Sequence, residues 1–164
     1  MCMKIQQITF TGKPNNYAKI DNVLSRSAQP NKEDFAWLKK QGVTDVVNFR
    51  TMFVAAIDFD EKEVVESLGM KYHNIPSITA KPQEKNVLEF LNLADNISKN
   101  NGKLHLHCQA GADRTGMYSF IYKSMKNIGD MTQNVQEWIQ KGHNVAKYPD
   151  LIEQTKKIIE KIKI

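Results

Sequence analysis

His107-Cys108-Gln109-Ala110-Gly111-Ala112-Asp113-Arg114-Thr115-Gly116 puts a potential nucleophile, a turn of small residues, a permanent cation and a helix start into one short stretch. Upstream, Lys103 to His107 has the length and alternation of a buried strand end. Downstream, Met117 to Ile128 is a helix-length run in which Phe120, Ile121 and Met125 can form one face. The stretch therefore reads as a loop joining a strand to a helix. The first N–H groups of a helix lack intrahelical partners, and such donors set around small residues make an anion-binding concavity. Arg114 adds a planar fork that matches two oxygens of an oxyanion, and the same field favours thiolate over thiol at Cys108. One loop can thus hold an oxyanion and set a nucleophile against it.

The rest of the chain reads as scaffold for this loop. A length of 164 residues suits a single domain, 1–164, with room for a real core. A hydrophobic content of 41% and a charged content of 25% are ordinary for a globular protein. An apolar run such as Phe53 to Ile57 is far too short to span a bilayer, and Met1-Cys2-Met3-Lys4 does not lead into a signal-peptide core. No membrane partner and a cytoplasmic location are the expectations. Cys2 and Cys108 are the only cysteines, which excludes a disulfide framework and fits a reducing compartment. Cys2 could act as a resolving thiol, but so near a terminus it reads as a bystander. The net charge of +5 comes from dispersed lysines, densest at Lys156, Lys157, Lys161 and Lys163 on one C-terminal helix. Such a run is a solvated face, so nucleic acid is not the expected partner. The oligomeric state is not legible.

In chain order, Ile5 to Phe10 reads as a strand, Thr11 to Asn16 as a turn and Val23 to Arg26 as a second strand. Asn31 with Asp34 three residues on predicts a helix start, with Phe35, Trp37 and Leu38 as its apolar bulk and Gly42 as its stop. Val43 to Phe49 is a buried strand by its β-branched content. Glu61 to Leu68 predicts a helix and Met70 to Ile75 a strand. Pro82 fits the first position of a helix whose stripe is Val87, Leu88, Leu91, Ala94 and Ile97. Thr132 can cap a helix carrying Val135, Trp138 and Ile139, and a last helix runs from Asp150. Thr51 to Asp60 has no clear period and suits a loop over the site or a short helix. Alternating strands and helices argue for an α/β domain, a central mainly parallel sheet covered by helices on both faces. The Cys108 loop then falls at the carboxyl end of a strand, where such folds bind ligands.

His107, Cys108, Gly111, Arg114 and Thr115 resemble the His-Cys-x5-Arg-Thr/Ser signature of cysteine-dependent protein tyrosine and dual-specificity phosphatases. Rhodanese-type sulfurtransferases also present a Cys between strand and helix, but on a shorter loop. Arg26-Ser27-Ala28-Gln29-Pro30 and Asn48-Phe49-Arg50 are similar to the amino-terminal half of small bacterial members of the family, which extends the resemblance over most of the chain. It implies a dual-specificity-phosphatase-like fold and hydrolysis of phosphate monoesters, phosphotyrosine first, through a phosphocysteine on Cys108. Gln109, Ala110, Gly111, Ala112, Asp113 and Arg114 would bind the phosphate, and Thr115 would hydrogen-bond the Cys108 thiolate. No cofactor or metal is implied. The partner is a phosphorylated protein or a small phosphomonoester. Arg26 and Arg50 could attract phosphate or tether loops.

The family's usual general acid is an Asp on a loop about thirty residues before the cysteine. Ser77-Ile78-Thr79-Ala80-Lys81 contains no carboxylate. Asp113 takes its place by resemblance to myotubularin-like and some bacterial phosphatases with a Cys-x4-Asp-Arg loop; it could equally support the following helix as a first-turn anion. Asp58 and Asp60 are the alternatives if Thr51 to Asp60 covers the site. Bacterial phosphoinositide phosphatases often carry Lys where this loop has Ala112. Phosphoinositide or RNA-end hydrolysis, and a phospho-ligand-binding module with weak turnover, are the competing readings.

Overall fold

The structure, a computed structural model, describes residues 12–51 and 57–163. The strand expected at Ile5 to Phe10 and half of the Thr51 to Asp60 segment lie outside the described residues. Five strands form one sheet: β1 Ala18–Lys19, β2 Leu24–Ser27, β3 Asp45–Asn48, β4 Lys71–Asn74 and β5 Leu104–His107, in the order β1-β2-β5-β3-β4. The short β1 pairs antiparallel with β2 and every other pairing is parallel. The described helices are α1 Lys32–Lys40, α2 Glu61–Ser67, α3 Glu84–Lys99, α4 Asp113–Met125, α5 Met131–Gln140 and α6 Leu151–Ile162.

Successive strand residues face opposite sides of a sheet, and Val46 and Val47 divide accordingly. Val47, Leu104 and Leu106 join the apolar cluster of α3, α4, α5 and α6, while Val46 joins that of Phe35, Leu38, Val65 and Met70 from the α1–α2 side. Helices therefore cover both faces, as the alternation predicts. The register brings Ser27, His107, Asn48 and Asn74 to one level. All four parallel strands end there, and the Cys108 loop leaves the sheet at that edge.

Three boundaries differ from the sequence reading. Helix α4 starts at Asp113 rather than Met117, and it is not one-faced: Thr115 through Ser124 are all buried. It lies between the sheet and α3, α5 and α6, so it is buried all round, with Lys123 paired to Glu137, and its sequence shows no single stripe. Pro82 precedes the Gln83 N-cap of α3 instead of opening the helix. Asp130, not Thr132, caps α5, in a capping box with Gln133. The Asn31–Asp34 capping box of α1 forms as expected.

The alternation Leu104-His105-Leu106-His107 sends two histidines to the α1–α2 side. His105 is fully buried between β2 hydroxyls, with Ser25 Oγ 2.9 Å from Nδ1 and Ser27 Oγ 2.8 Å from Nε2. Ser27 Oγ already donates to the Ala28 carbonyl at 2.6 Å, so Nε2–H donates to Ser27 and Ser25 donates to Nδ1. Burial, helped by the charge of His107, holds His105 well below the usual histidine range. The unfolded chain therefore binds this proton more readily than the folded one, so the stabilisation is complete above about pH 6.5 and is lost as the pH falls below it, by up to about 1.4 kcal/mol per pH unit. Thermal melts between pH 7.5 and 5 should show that slope in the wild type and a shallower one in His105→Gln; equal slopes would remove the assignment.

Candidate active site

Three consecutive carbonyls of the loop are held from outside. Gln29 N–H donates to the Gln109 carbonyl at 3.0 Å, and Asn16 Nδ2 donates to those of Ala110 and Gly111 at 3.2 and 3.1 Å. The buried Arg26 guanidinium also donates to the Gly111 carbonyl. In a trans peptide the N–H points opposite to the preceding C=O. The N–H groups of Ala110, Gly111 and Ala112 therefore face away from these tethers, into the hollow of the loop. Gly111, at φ +66°, supplies the left-handed step that lets the chain reverse here.

Cys108 is 2% exposed at the base of this loop. His107 before it is held at 2.7 Å by Glu61 Oε1, and Glu61 Oε2 accepts from Gln29 Nε2 at 2.9 Å and Asn48 Nδ2 at 3.1 Å. Burial alone would raise the Glu61 carboxyl, but the charge and hydrogen bond of His107, with Gln29 and Arg50, hold it below the usual carboxylate range. Glu61 is the first residue of α2, so this helix locks the end of β5. Arg114 Nη1 donates to the Phe49 carbonyl at 3.3 Å, and the same carbonyl accepts Ser77 N–H at 3.2 Å. Ser77 thus shares a backbone acceptor with Arg114, and the stretch 77–81 that it opens contains no carboxylate. Arg50, 7% exposed, donates to Gln29 Oε1. Burial, joined by the neighbouring charge of Arg114 and only partly offset by Glu61 and Cys108, holds its guanidinium below the usual arginine range, so Arg50 lies in the electrostatic field of the loop. Arg26 is lowered by burial and raised by Glu137 and Cys108; it is a tether beneath the loop rather than a group on its rim.

Asp113 opens α4, yet its carboxylate does not bond the N–H groups of its own helix in any described contact. Oδ1 accepts from His143 Nδ1 at 2.7 Å and from Asn144 N–H at 2.9 Å, both from the connection between α5 and α6. Asp58 is an exposed bend residue, and Asp60 is occupied as the N-cap of α2, accepting from Glu63 N–H at 3.0 Å. Thr115 Oγ1 is buried without a hydrogen-bond partner among the described residues, so the bond to Cys108 implied by the resemblance is not made here. Asn16, Glu61 and His143 did not stand out in the sequence; they lie far from the loop in the chain, and each signalled only a turn, a helix start or a helix stop.

The chain resembles several solved structures in fold. A DUF442 protein from Shewanella putrefaciens CN-32 is 22% identical, with a TM-score of 0.74 over 98% of this chain and 96% of that one. P. aeruginosa TpbA, in a Cys-to-Ser form solved with phosphotyrosine, is 18% identical with a TM-score of 0.72 over 90% of each chain. PTPMT1 in complex with PI(5)P is 16% identical with a TM-score of 0.76 over 91% of this chain and 97% of that one. No curated protein sequence matches. The family whose sequence model matches is described as "DSP-PTPase phosphatase fused to NAD+ Kinase", and the match runs over residues 4–158. The chain belongs to this family and is a phosphatase of the tyrosine and dual-specificity type.

Proposed function

We propose that the protein hydrolyses phosphotyrosine in proteins, in the cytoplasm, by a two-step mechanism centred on Cys108. In the first step the Cys108 thiolate attacks phosphorus. The S–P bond forms as the bond to the tyrosine oxygen breaks, and Asp113 gives its proton to that oxygen. Arg114 and the inward N–H groups of Ala110, Gly111 and Ala112 hold the phosphoryl oxygens, where such donors stabilise charge that grows in the transition state. In the second step water attacks phosphorus, Asp113 takes its proton, and Cys108 leaves as thiolate. The unpartnered Thr115 hydroxyl is free to support that departure. The observation that supports this reading best is the tethered loop itself, with three carbonyls pulled outward and Cys108 buried at its base. The depth of Cys108 favours a long, narrow aryl phosphate, because a phosphoserine would have to bring its backbone down to the loop.

Steady-state hydrolysis by wild type and Asp113→Asn, with EDTA present throughout, tests the reading. On a phosphotyrosine peptide Asp113→Asn should lose about 10²–10⁴-fold in kcat/KM, the usual contribution of a positioned acid. On 4-nitrophenyl phosphate, whose leaving group needs little help, the loss should be far smaller. Equal activity on both substrates would return Asp58 and Asp60 to candidacy. An inactive wild type that still binds phosphotyrosine would make the protein a phospho-ligand reader, and preferential turnover of PI(5)P vesicles would move the substrate to phosphoinositide.

A further inference from the structure

We propose that His143 is the positioning residue of the Asp113 acid: it fixes which carboxyl oxygen carries the transferable proton. The inference rests on the reading of Asp113 as the acid. Helix α5 stops at Gly142, at φ +100°, and the turn returns His143 N–H to the Trp138 carbonyl at 3.2 Å. The imidazole then lies on the Trp138 ring with centroids 4.7 Å apart, its side chain fully buried. Asn16 Nδ2, which holds the Ala110 and Gly111 carbonyls, also holds the Lys141 carbonyl at 2.9 Å. The turn and the phosphate loop are therefore fastened to one amide, and His143 cannot drift from Asp113 independently.

The two ring nitrogens of His143 have different surroundings. Nδ1 is 2.7 Å from Asp113 Oδ1, whereas Nε2 is buried with no hydrogen-bond partner among the described residues. A neutral imidazole has one N–H. Placed on Nε2 it would be a buried donor without an acceptor, and the Nδ1 lone pair would oppose a carboxyl oxygen; placed on Nδ1 it is satisfied. His143 is thus a fixed donor to Oδ1. Asn144 N–H donates to the same oxygen at 2.9 Å. With two donors on Oδ1, a protonated Asp113 carries its hydrogen on Oδ2, the oxygen left for the leaving group and later for water. Without His143 the carboxyl can rotate, and the proton is shared between two orientations.

The test is kcat/KM over a series of aryl phosphates, from 4-nitrophenyl phosphate to phenyl phosphate, for wild type, His143→Leu, His143→Asn, Asp113→Asn and the double variant Asp113→Asn with His143→Leu. His143→Leu should lose about tenfold or more on phenyl phosphate and only about threefold or less on 4-nitrophenyl phosphate, within what a misplaced acid forfeits. His143→Asn, whose Nδ2 donates from about the position of Nδ1, should recover most of the loss. In the Asp113→Asn background His143→Leu should cost nothing further. A uniform loss across the series, failure of His143→Asn to rescue, or additive losses in the double variant would each overturn the inference and leave His143 a packing residue. If Asp113→Asn itself leaves the leaving-group dependence unchanged, the acid assignment fails and this inference falls with it.

Discussion

Cys108→Ser should abolish turnover, by about 10⁴-fold or more, while the protein keeps its fold and its affinity for phosphotyrosine. The two side chains are close in size, and Cys108 is 2% exposed with no hydrogen bond that the hydroxyl would lose among those described. What changes is the nucleophile. A thiol is readily held as thiolate next to helix N-termini and arginines, whereas a serine hydroxyl needs an adjacent base to become nucleophilic. Among the described residues, the charged groups coupled to Cys108 are the cations Arg26 and Arg50, His107 is engaged by Glu61, and the Asp113 carboxylate is held by His143 and Asn144. The binding elements, by contrast, are the loop N–H groups and Arg114, and the substitution touches none of them. Rapid acid quench with ³²P-labelled substrate should trap a phosphoenzyme in the wild type and none in Cys108→Ser, and calorimetry should find phosphotyrosine binding in Cys108→Ser and inorganic phosphate binding in both. Residual turnover within tenfold of wild type would place the nucleophile elsewhere.

The parts of this site that could be read from the sequence are those contiguous in the chain. His107 to Thr115 carries nucleophile, turn, cation and helix start within a single loop, and local chemistry restricts what such a string can do. The parallel strands were legible for a similar reason, since Val43 to Phe49 and Lys103 to His107 announce strands by their own composition, whereas the two-residue β1, Ala18–Lys19, was not. The reading lost accuracy where tertiary packing replaces periodicity. Helix α4 is buried all round, so it offers no stripe from which to place its start, and Asp113 is its first residue rather than part of a preceding loop. It failed altogether for groups that reach the loop from across the molecule. Asn16 is 95 residues from Gly111, Glu61 is 46 from His107, and His143 is 30 from Asp113. Each has an ordinary local explanation, and only the fold brings its side chain to the loop. The two alternatives left open for the arginines also needed the fold. Arg26 is a tether to the Gly111 carbonyl, and Arg50 is a buried neighbour of both Glu61 and Arg114.

Gly111→Ala is the substitution through which these distant contacts should become visible together. A Cβ on residue 111 would lie 2.5 Å from Ala28 N and Ser27 C and 2.6 Å from Ser27 O, all backbone atoms at the end of β2 and of the residue after it, and no rotamer change can relieve that. Residue 111 also sits at φ +66°, which costs an L side chain about 1–2 kcal/mol. Overpacking adds about 1–3 kcal/mol. A total of about 2–5 kcal/mol lowers the Tm of a chain this size by roughly 5–20 °C. The alternative to that strain is for the loop to move outward from Ser27 and Ala28. Moving would stretch the Arg26 and Asn16 bonds to the Gly111 carbonyl and turn the Ala112 N–H out of the hollow, so relief of the clash is gained at the expense of anion binding. The variant should therefore lose both ways: a lower Tm, and little of the thermal protection that phosphate or vanadate gives the wild type. A Tm within about 2 °C of wild type, together with undiminished protection by phosphate, would show that the loop does not depend on the close approach to β2 that holds its carbonyls outward.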